Sequence, residues 1–505
     1  MTKERRFDLA LSLILALGAL VAYRNVIDLW FVTSDSIAHF AEGIYEMRDS
    51  VPYLRGPAME GTGVAEVKRY YRPVSELSYG IDFLIHGIDV PAARISNILL
   101  HAATAFLTYL TGKNVLKLNT LPSAAAAIAF LLHPVGMQVV PSLSRRHDIL
   151  MSVFGLLALL AHQKALENQE KLLLGFTGVF VLASVLSKEA GVIVLPILVA
   201  QRYFMTRVDS LDNPRAFVRN TFKALKASKW LAPLIALYFG IRLFGLGGLG
   251  TTGGGNHSLV QAAHTLAGYT LAMLRPSALI NGFVPSALKT EVLQGALIPT
   301  VFGPVLLAAP AAILITQRKN LSARSTRHIR SIAFVFSWLS GYAVMLLLSG
   351  SSALRYAYFP TVAATLLGAA LFMEVYRSEI ALRDTALVLI AFIGLLTLSF
   401  NPLFYDFKEY SNSANINQQA FQEIQQYNLT DPTYIDGVVT GVDYDHRRIT
   451  NIYYFESHSI EAWEQMRGRK DIEVRTNSTR LERPHRSVSS EVTSTDPLRL
   501  ELSYR

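Results

Sequence analysis

The 505-residue chain contains no cysteine, and only 17% of its residues are charged. The absence of cysteine excludes disulfides and thiolate-ligated metal sites. A metal ion would have to be bound by Asp, Glu, His or water, which favours magnesium, manganese or zinc. The low charge argues against the three or so soluble domains that this length otherwise predicts, because a soluble protein covers its surface with charged residues.

Apolar residues are abundant instead. They make up 51% of the chain, and the mean hydropathy is +0.31. They fall in blocks of about 20 residues, the length of a helix that crosses a bilayer. The pattern predicts an all-α polytopic membrane protein with about 11 transmembrane helices. The predicted spans cover roughly residues 8–30, 94–112, 122–141, 149–164, 172–187, 189–205, 230–246, 294–316, 331–349, 355–376 and 384–402.

The formal net charge of +9 makes nucleic acid a candidate partner. The basic residues, however, lie mainly in short loops on one side of the predicted spans, as the positive-inside rule describes. We therefore expect no nucleic-acid partner. We expect an integral protein of the plasma membrane or an equivalent membrane, with a cytoplasmic N-terminus. The apolar segment 259–276 is predicted to be a re-entrant or interfacial helix on the outer side, since a further span there would place the basic loop after residue 316 outside.

Two domains are predicted. Residues 1–402 form a transmembrane domain, whose first outer loop, 31–93, carries juxtamembrane helices over about 33–47 and 73–87. Residues 403–505 form a small extracytoplasmic domain with some strand, because apolar and polar residues alternate there in short runs. The active site is expected on the same extracytoplasmic side.

The chemistry is expected among polar side chains at the outer ends of the spans, where ionisable groups are costly without a partner or a purpose. Asp35, His39 and Glu42 follow the first span at helical spacing and share one face of a helix. That face could hold a metal ion, or a general base beside a carboxylate. The alternative is that Asp35 caps a helix whose face is solvated.

A second group of residues combines aromatic rings with cations. Tyr71 and Arg72 lie in a Tyr-Tyr-Arg-Pro segment, for which an ordinary aromatic belt is the alternative interpretation. Arg145 and Arg146 are unusual at an outer boundary, and the planar guanidinium suits phosphate. Asp148 is either a metal ligand or an acceptor for the same arginines. A purely structural ion cluster is the other possibility.

The remaining candidates come later in the chain. Lys188 and Glu189 lie where two apolar helices meet with almost no loop, and they either pair with each other or lie beside a phosphate. Arg355 is another outer arginine among aromatic residues. Together these residues predict an outer cavity for an acidic, membrane-borne substrate. Its predicted members are Asp35, Arg72, Arg145, Arg146, Asp148, Lys188 and Arg355.

The order of these motifs resembles the membrane part of the C-type glycosyltransferases. It is most similar to the O-mannosyltransferases that carry tetratricopeptide repeats, over about residues 8–400. The motifs are an Asp after the first span, Tyr-Arg-Pro, His133-Pro-Val, Arg-x-x-Asp-Ile-Leu, Ser-Lys-Glu and Arg-Tyr-x-Tyr-x-Pro. The resemblance implies transfer of a sugar from a polyprenyl-phosphate donor to an extracytoplasmic protein or glycan acceptor, usually with inversion.

The resemblance also implies roles for single residues. Asp35 would be the catalytic base or part of the site, and Arg145 or Arg146, with Lys188 and Arg355, would hold the donor phosphate. From the motifs themselves, we expect Tyr71, Arg72, His133 and Glu189 to bind substrate. Asp35, His39 and Asp148 are the candidate ligands of a divalent metal (Mg, Mn or Zn). Two departures weaken the implied details: Asp35 is flanked by serines where relatives often have paired acids, and the tail lacks the tetratricopeptide pattern.

Two other functions are compatible with a membrane-boundary site. The main rival is a transporter or flippase for a lipid-linked or anionic solute, although the sequence shows no inverted repeat. A polymerase or ligase of lipid-linked glycans is the second. No Walker A pattern is present, and an activated donor needs no ATP site.

Overall fold

The computed structural model describes residues 2–32, 34–48, 70–205, 214–246, 323–349, 354–377, 411, 414–427, 429, 433–442, 474–481, 488–495 and 498–504. Most of these residues are helical. The α-helices, in chain order, are α1 Lys3–Ala22, α2 Ser34–Arg48, α3 Pro73–His86, α4 Val90–Asn114, α5 Thr120–Leu131, α6 Arg146–Asn168, α7 Lys171–Ser187, α8 Val194–Met205, α9 Pro214–Ala227, α10 Ala232–Leu246, α11 Ala323–Ser349 and α12 Tyr358–Arg377.

Two helices in the described part of the chain are long and apolar enough to cross a membrane. They are α4, and α6 together with the turn before it, over Leu143–Asn168. Val218–Ala227 and Lys229–Phe244 meet the same criterion only as a pair, with a bend of 44° between them. Helix α1 exposes Leu9, Leu13 and Leu17 along one face, as a helix in contact with lipid tails does.

Ion pairs define one end of the helix bundle. At this end, Lys113 near the end of α4 contacts Asp8 and Glu4 of α1, with each Nζ–O distance at 2.9 Å. Lys117, just after α4, pairs with Glu167 at the end of α6 at 2.6 Å. The start of α1 and the ends of α4 and α6 therefore share one end of the bundle. The polar residues at the start of α6 must lie at the opposite end.

Two amphipathic helices cover that opposite end. Helices α2 and α3 match the two juxtamembrane helices predicted in the first outer loop. They approach closely at Gly43, where a Cβ atom would lie only 2.6 Å from the Cβ of Tyr79. Buried side chains from both helices, including Phe40 and Tyr79, form a second core that is separate from the core of the bundle.

The C-terminal part of the chain contributes a helix and a sheet to this second core. Residues 414–425 are helical, and Asn417 donates a hydrogen bond of 3.1 Å to the carbonyl oxygen of Phe31. The strands are β1 Thr433–Val442, β2 Val474–Leu481, β3 Val488–Thr495 and β4 Leu498–Tyr504. Their order is β2-β1-β4-β3, with β1 parallel to β2 and β4, and β3 antiparallel to β4. Ile435 and Leu500 pack the sheet onto the second core.

Several helix bounds differ from the predicted spans. Helix α1 ends at Ala22 and is followed by a 3-10 turn over Arg24–Val26, so it is shorter than the predicted span 8–30. Helix α5 ends at Leu131 because the chain forms a 3-10 turn at Pro134, whose missing N–H cannot continue an α-helix. The predicted spans 294–316 and 384–402 and the predicted helix 259–276 lie outside the described residues. The count of 11 spans and the division into two domains therefore stay predictions.

Candidate functional site

The start of α2 is attached to the segment that precedes α6. The Ser36 hydroxyl lies 3.2 Å from the Ser142 hydroxyl and accepts a hydrogen bond from the Ser144 backbone N–H at 3.2 Å. Asp35 is the neighbour of Ser36 in the first turn of α2, but its side chain lies outside the described part of the structure. These hydrogen bonds bring the backbone of the predicted base close to the Arg145 segment.

A buried arginine that the sequence analysis missed fixes the loop between α1 and α2. Arg94 of α4 donates hydrogen bonds to the carbonyl oxygens of Ile27 at 3.1 Å, Trp30 at 3.0 Å and Pro141 at 3.1 Å, and also to that of Leu29. Because one guanidinium satisfies carbonyls from two loops, it holds the segment before α2 against the segment before α6. Arg94 follows directly on a Pro-Ala-Ala sequence, which gives no signal for this role.

Arg146 is also fully engaged. Its guanidinium forms an ion pair of 2.6 Å with Asp82 of α3 and donates hydrogen bonds to Asn97 at 2.6 Å and to the Ala93 carbonyl oxygen at 2.8 Å. The side chain is 1% exposed. Its described contacts join α3, α4 and α6, and they are those of a structural ion cluster rather than of an open phosphate site. The predicted acceptor Asp148 is not its partner.

Asp148 pairs with Lys188 and His147. Its Oδ1 atom accepts a hydrogen bond from the Lys188 ammonium, and its Oδ2 atom lies 3.1 Å from Nε2 of His147. Burial lowers the pKa of Lys188, and the Asp148 carboxylate opposes this shift. All three side chains are buried between the start of α6 and the end of α7. Of the two alternatives for Lys188, pairing with its neighbour Glu189 is therefore wrong.

Glu189 binds the Tyr-Arg-Pro segment instead. Its Oε2 atom accepts hydrogen bonds from Arg72 Nε at 3.2 Å and Nη2 at 3.1 Å, and its Oε1 atom accepts one from the Tyr71 backbone N–H at 3.3 Å. Arg72 also lies 3.4 Å from Nδ1 of His147. This hydrogen bond joins the Arg72–Glu189 pair to the Asp148–Lys188 pair.

Arg355 completes the cluster. It lies in the 3-10 turn Leu354–Ala357, and its guanidinium carbon is 5.1 Å from the ring centre of Tyr356. The Lys188 ammonium lies 4.4 Å from the same ring. Tyr356 is also within electrostatic reach of Arg72 and Asp148. The structure therefore gathers four predicted segments, which are far apart in sequence, around one tyrosine.

Cationic side chains converge in this cluster. Arg72, Lys188 and Arg355 lie around Tyr356, and Glu189 and Asp148 pair with Arg72 and Lys188. Guanidinium and ammonium groups form charge-assisted hydrogen bonds with phosphate oxygens, so this arrangement can accept an anionic group such as a phosphate.

His39 faces a buried acid that sequence reasoning also missed. Its Nδ1 atom lies 3.5 Å from Oε1 of Glu76 in α3, and its ring centre is 6.1 Å from that of His147. Burial raises the pKa of Glu76 to about 8, although the Arg72 charge acts in the opposite direction. The solvated helix face proposed for His39 is wrong, because His39 is only 3% exposed. Glu76 lies within the predicted juxtamembrane helix 73–87, and the sequence gives no sign of its burial, which depends on the packing of α2.

The other predicted residues have local roles. His133 precedes the 3-10 turn Pro134–Gln138, and its Nδ1 atom accepts a hydrogen bond of 3.2 Å from the Val135 N–H. Arg145 is buried in the turn before α6. For the metal site proposed at Asp35, His39 and Asp148, no group of three or more His, Asp or Glu side chains suited to a metal ion occurs within the described ranges. Metal binding stays a prediction, since the Asp35 side chain is not among them.

Comparison with known proteins agrees with the motifs. Residues 73–228 match the dolichyl-phosphate-mannose-protein mannosyltransferase family. The matched segment begins at Pro73, the last residue of the Tyr-Arg-Pro motif. It contains the Arg-x-x-Asp-Ile-Leu motif with Asp148 and the Ser-Lys-Glu motif. The resemblance to the C-type glycosyltransferases is confirmed. Within this group, the chain is similar to the O-mannosyltransferases named from the motifs.

The similarity to curated relatives is local. The chain is 30% identical over 131 residues to protein O-mannosyl-transferase F38B6.6 of Caenorhabditis elegans, which corresponds to 26% of this chain and 18% of that protein. It is 28% identical over 179 residues to protein O-mannosyl-transferase Tmtc1 of Drosophila melanogaster, covering 35% of this chain and 21% of that protein. The chain thus spans about a fifth of the length of the curated relatives it matches.

A solved structure extends the likeness of fold to most of the chain. It is an archaeal oligosaccharyltransferase, AglB from Archaeoglobus fulgidus, in complex with an inhibitory peptide and a dolichol-phosphate. The TM-score is 0.50 at 13% sequence identity, and the match covers 94% of this chain and 65% of that one. At this identity the likeness concerns the fold. The long apolar helices of the chain agree with a membrane location.

Proposed function

We propose that this chain is a membrane glycosyltransferase that moves a sugar from a polyprenyl-phosphate donor to a hydroxyl group of a protein, and that the sugar is mannose. The transfer takes place on the side of the membrane opposite to the N-terminus of the chain. The observation that carries the proposal is the convergence of three cationic side chains, Arg72, Lys188 and Arg355, around Tyr356, in a cluster that also contains Asp148 and Glu189. A donor phosphate can bind among these cations.

Two similarities support the donor and the sugar. The relatives in worm and fly are named protein O-mannosyl-transferases. The archaeal enzyme with a similar fold was solved with a dolichol-phosphate bound. A lipid-linked donor also explains why the cluster lies at the ends of apolar helices, where a phosphate attached to a membrane-embedded tail can reach it.

The proposed reaction is a single displacement. The Asp35 carboxylate takes the proton of the acceptor hydroxyl as its oxygen attacks the anomeric carbon. The bond between that carbon and the phosphate oxygen breaks, and the polyprenyl phosphate leaves with the bonding electrons. Lys188 and Arg355 stabilise the charge that develops on the departing phosphate. Attack opposite to the leaving group inverts the anomeric configuration.

The remaining cluster residues would position these cations. Asp148 orients Lys188 toward Tyr356, and Glu189 holds Arg72 beside His147. Arg145 stays a candidate for direct phosphate contact. Arg146 is assigned to the packing of α3 and α4 and not to the donor site.

The decisive experiment separates donor binding from transfer. Purified protein with Asp35→Asn should bind a polyprenyl-phosphate mannose as the wild type does. Its transfer rate to an acceptor peptide should fall by roughly 100- to 10,000-fold, the usual loss when a general base is removed. Mass spectrometry of the peptide gives the rate. Transfer at the wild-type rate would reject Asp35 as the base.

The phosphate site needs its own variant and control. Arg355→Gln should weaken donor binding, because it removes one cation from the cluster while keeping a polar side chain of similar length. Lys164→Gln is the matched control, since Lys164 is exposed near the far end of α6. Equal donor affinity in the two variants would exclude Arg355 from the donor site. If no polyprenyl-phosphate sugar in a panel of donors is bound or transferred, the proposed function itself fails.

A further inference from the structure

Helix α9 presents three different faces, and none of them belongs to the site described above. Ala224 is buried against the protein. Val218, Phe222 and Leu225 are 52%, 68% and 50% exposed, and their spacing places them on one face. Arg219, Lys223 and Lys226 follow the same spacing one residue later, so they form an exposed basic face beside the apolar one.

The position of α9 along the bundle follows from its neighbours. Gln201 of α8 contacts His162 in the second half of α6, with an Oε1–Nδ1 distance of 2.9 Å. Helix α8 therefore runs away from the Asp148 cluster toward the end that carries the Lys117–Glu167 pair. Helix α9 comes next in the chain and contacts α8. It lies at the same end of the molecule as the start of α1.

The junction with α10 changes the helix direction. The 3-10 turn Lys229–Leu231 separates α9 from α10, and the two helical segments meet at 44°. Helix α10 exposes apolar side chains such as Leu237, Phe239 and Phe244, as a helix surrounded by lipid tails does. The bend therefore falls between the exposed apolar surface of α10 and the basic residues of α9.

We propose that α9 is an interfacial helix that binds anionic phospholipid head groups in the leaflet on the N-terminal side. Val218, Phe222 and Leu225 enter the acyl-chain boundary, while Arg219, Lys223 and Lys226 contact the phosphates. Charge decides the class of lipid, because the sequence of α9 contains four basic residues and no acidic one. The apolar and basic faces adjoin from Val218 to Lys226, which fits an amphipathic helix at a bilayer surface.

The absence of cysteine makes a direct test possible, since single cysteines can be introduced and spin-labelled. Phe222→Cys and Lys223→Cys are neighbours on α9 that face the proposed acyl and aqueous sides. In nanodiscs, the ratio of oxygen to nickel-chelate accessibility should be several-fold higher at position 222 than at 223. Lys164→Cys, on the exposed end of α6, serves as the aqueous control.

A second arm tests the lipid charge. Adding anionic phosphatidylglycerol to neutral nanodiscs should raise the accessibility ratio at position 222. The combined substitutions Arg219→Gln, Lys223→Gln and Lys226→Gln should abolish this rise. High nickel accessibility at position 222 would overturn the proposal, because the helix would then lie in water. Low accessibility to both reagents would also overturn it, because a protein surface would cover the helix. Neither readout depends on sugar transfer.

Discussion

The Lys188–Asp148 pair is buried in the middle of the charged cluster, so its two members depend on each other. Replacing Lys188 with Met leaves a buried carboxylate without its ammonium partner. The loss of one member of a buried pair costs about 3–5 kcal/mol, whereas replacing both can be nearly neutral. We expect Lys188→Met to lower the free energy of unfolding in detergent by about that amount, and Lys188→Met with Asp148→Asn to recover most of it. A double variant no more stable than Lys188→Met would contradict this coupling.

Glu76 gives the stability a specific pH dependence. Burial raises its pKa from an ordinary value of 4.5 to about 8, so the folded protein binds a proton that the unfolded chain releases between these values. This contribution to stability is complete below pH 4.5 and is lost as the pH rises through about 8. Among the described side chains, His39, Arg72, Tyr79 and Glu189 lie near Glu76.

The expected result is a lower melting temperature at pH 9 than at pH 6, with a smaller difference in Glu76→Gln than in the wild type. Thermal unfolding in detergent across this range measures it. Glu170→Gln is the control, because Glu170 is exposed between α6 and α7. An unchanged pH slope in Glu76→Gln would show that another group is responsible.

At the scale of elements, the contact between α2 and α3 depends on a glycine. A Cβ atom at Gly43 would lie 2.6 Å from the Tyr79 Cβ and 2.7 Å from the Glu76 carbonyl oxygen. Gly43→Ala should force the helices apart and cost about 1–3 kcal/mol, as overpacking usually does. It should also reduce transfer, because α2 carries Asp35.

Gly240→Ala is the matched control for this prediction. Gly240 lies in α10, and a Cβ atom there would meet no atom within 4 Å. Alanine should be neutral or stabilise this helix by up to about 1 kcal/mol, since glycine is a poor helix former. If thermal unfolding shows the same change for both variants, the close approach of α2 and α3 does not limit stability.

For the whole molecule, the ion pairs place the start of α1 and the cluster at opposite ends of the helices. Asp89 precedes α4 at the cluster end, and Glu170 follows α6 at the other end. Single cysteines at these positions, Asp89→Cys and Glu170→Cys, should react with a membrane-impermeant maleimide from opposite sides. In intact cells, only the Asp89 position is expected to be labelled. Labelling of both from one side would contradict the predicted orientation.

Local features were predictable because they depend on neighbouring residues. The apolar blocks 94–112 and 172–187 correspond to α4 and α7, and the amphipathic pattern of 33–47 corresponds to α2. The motif order was sufficient to indicate the C-type glycosyltransferases. The ends of α1 and α5 were less predictable, because the apolar residues that follow them continue in 3-10 turns and not in the α-helix.

The sequence by itself indicated long apolar helices and a group of cations at the ends predicted to lie outside, since hydrophobicity and charge are properties of composition and spacing. Only the tertiary structure decided which charges are paired. Lys188 forms its ion pair with Asp148 and not with its neighbour Glu189. Arg146 forms its ion pair with Asp82 and not with Asp148. Partners of this kind are brought together by helix packing, and the distance between two side chains in space is independent of their separation along the chain.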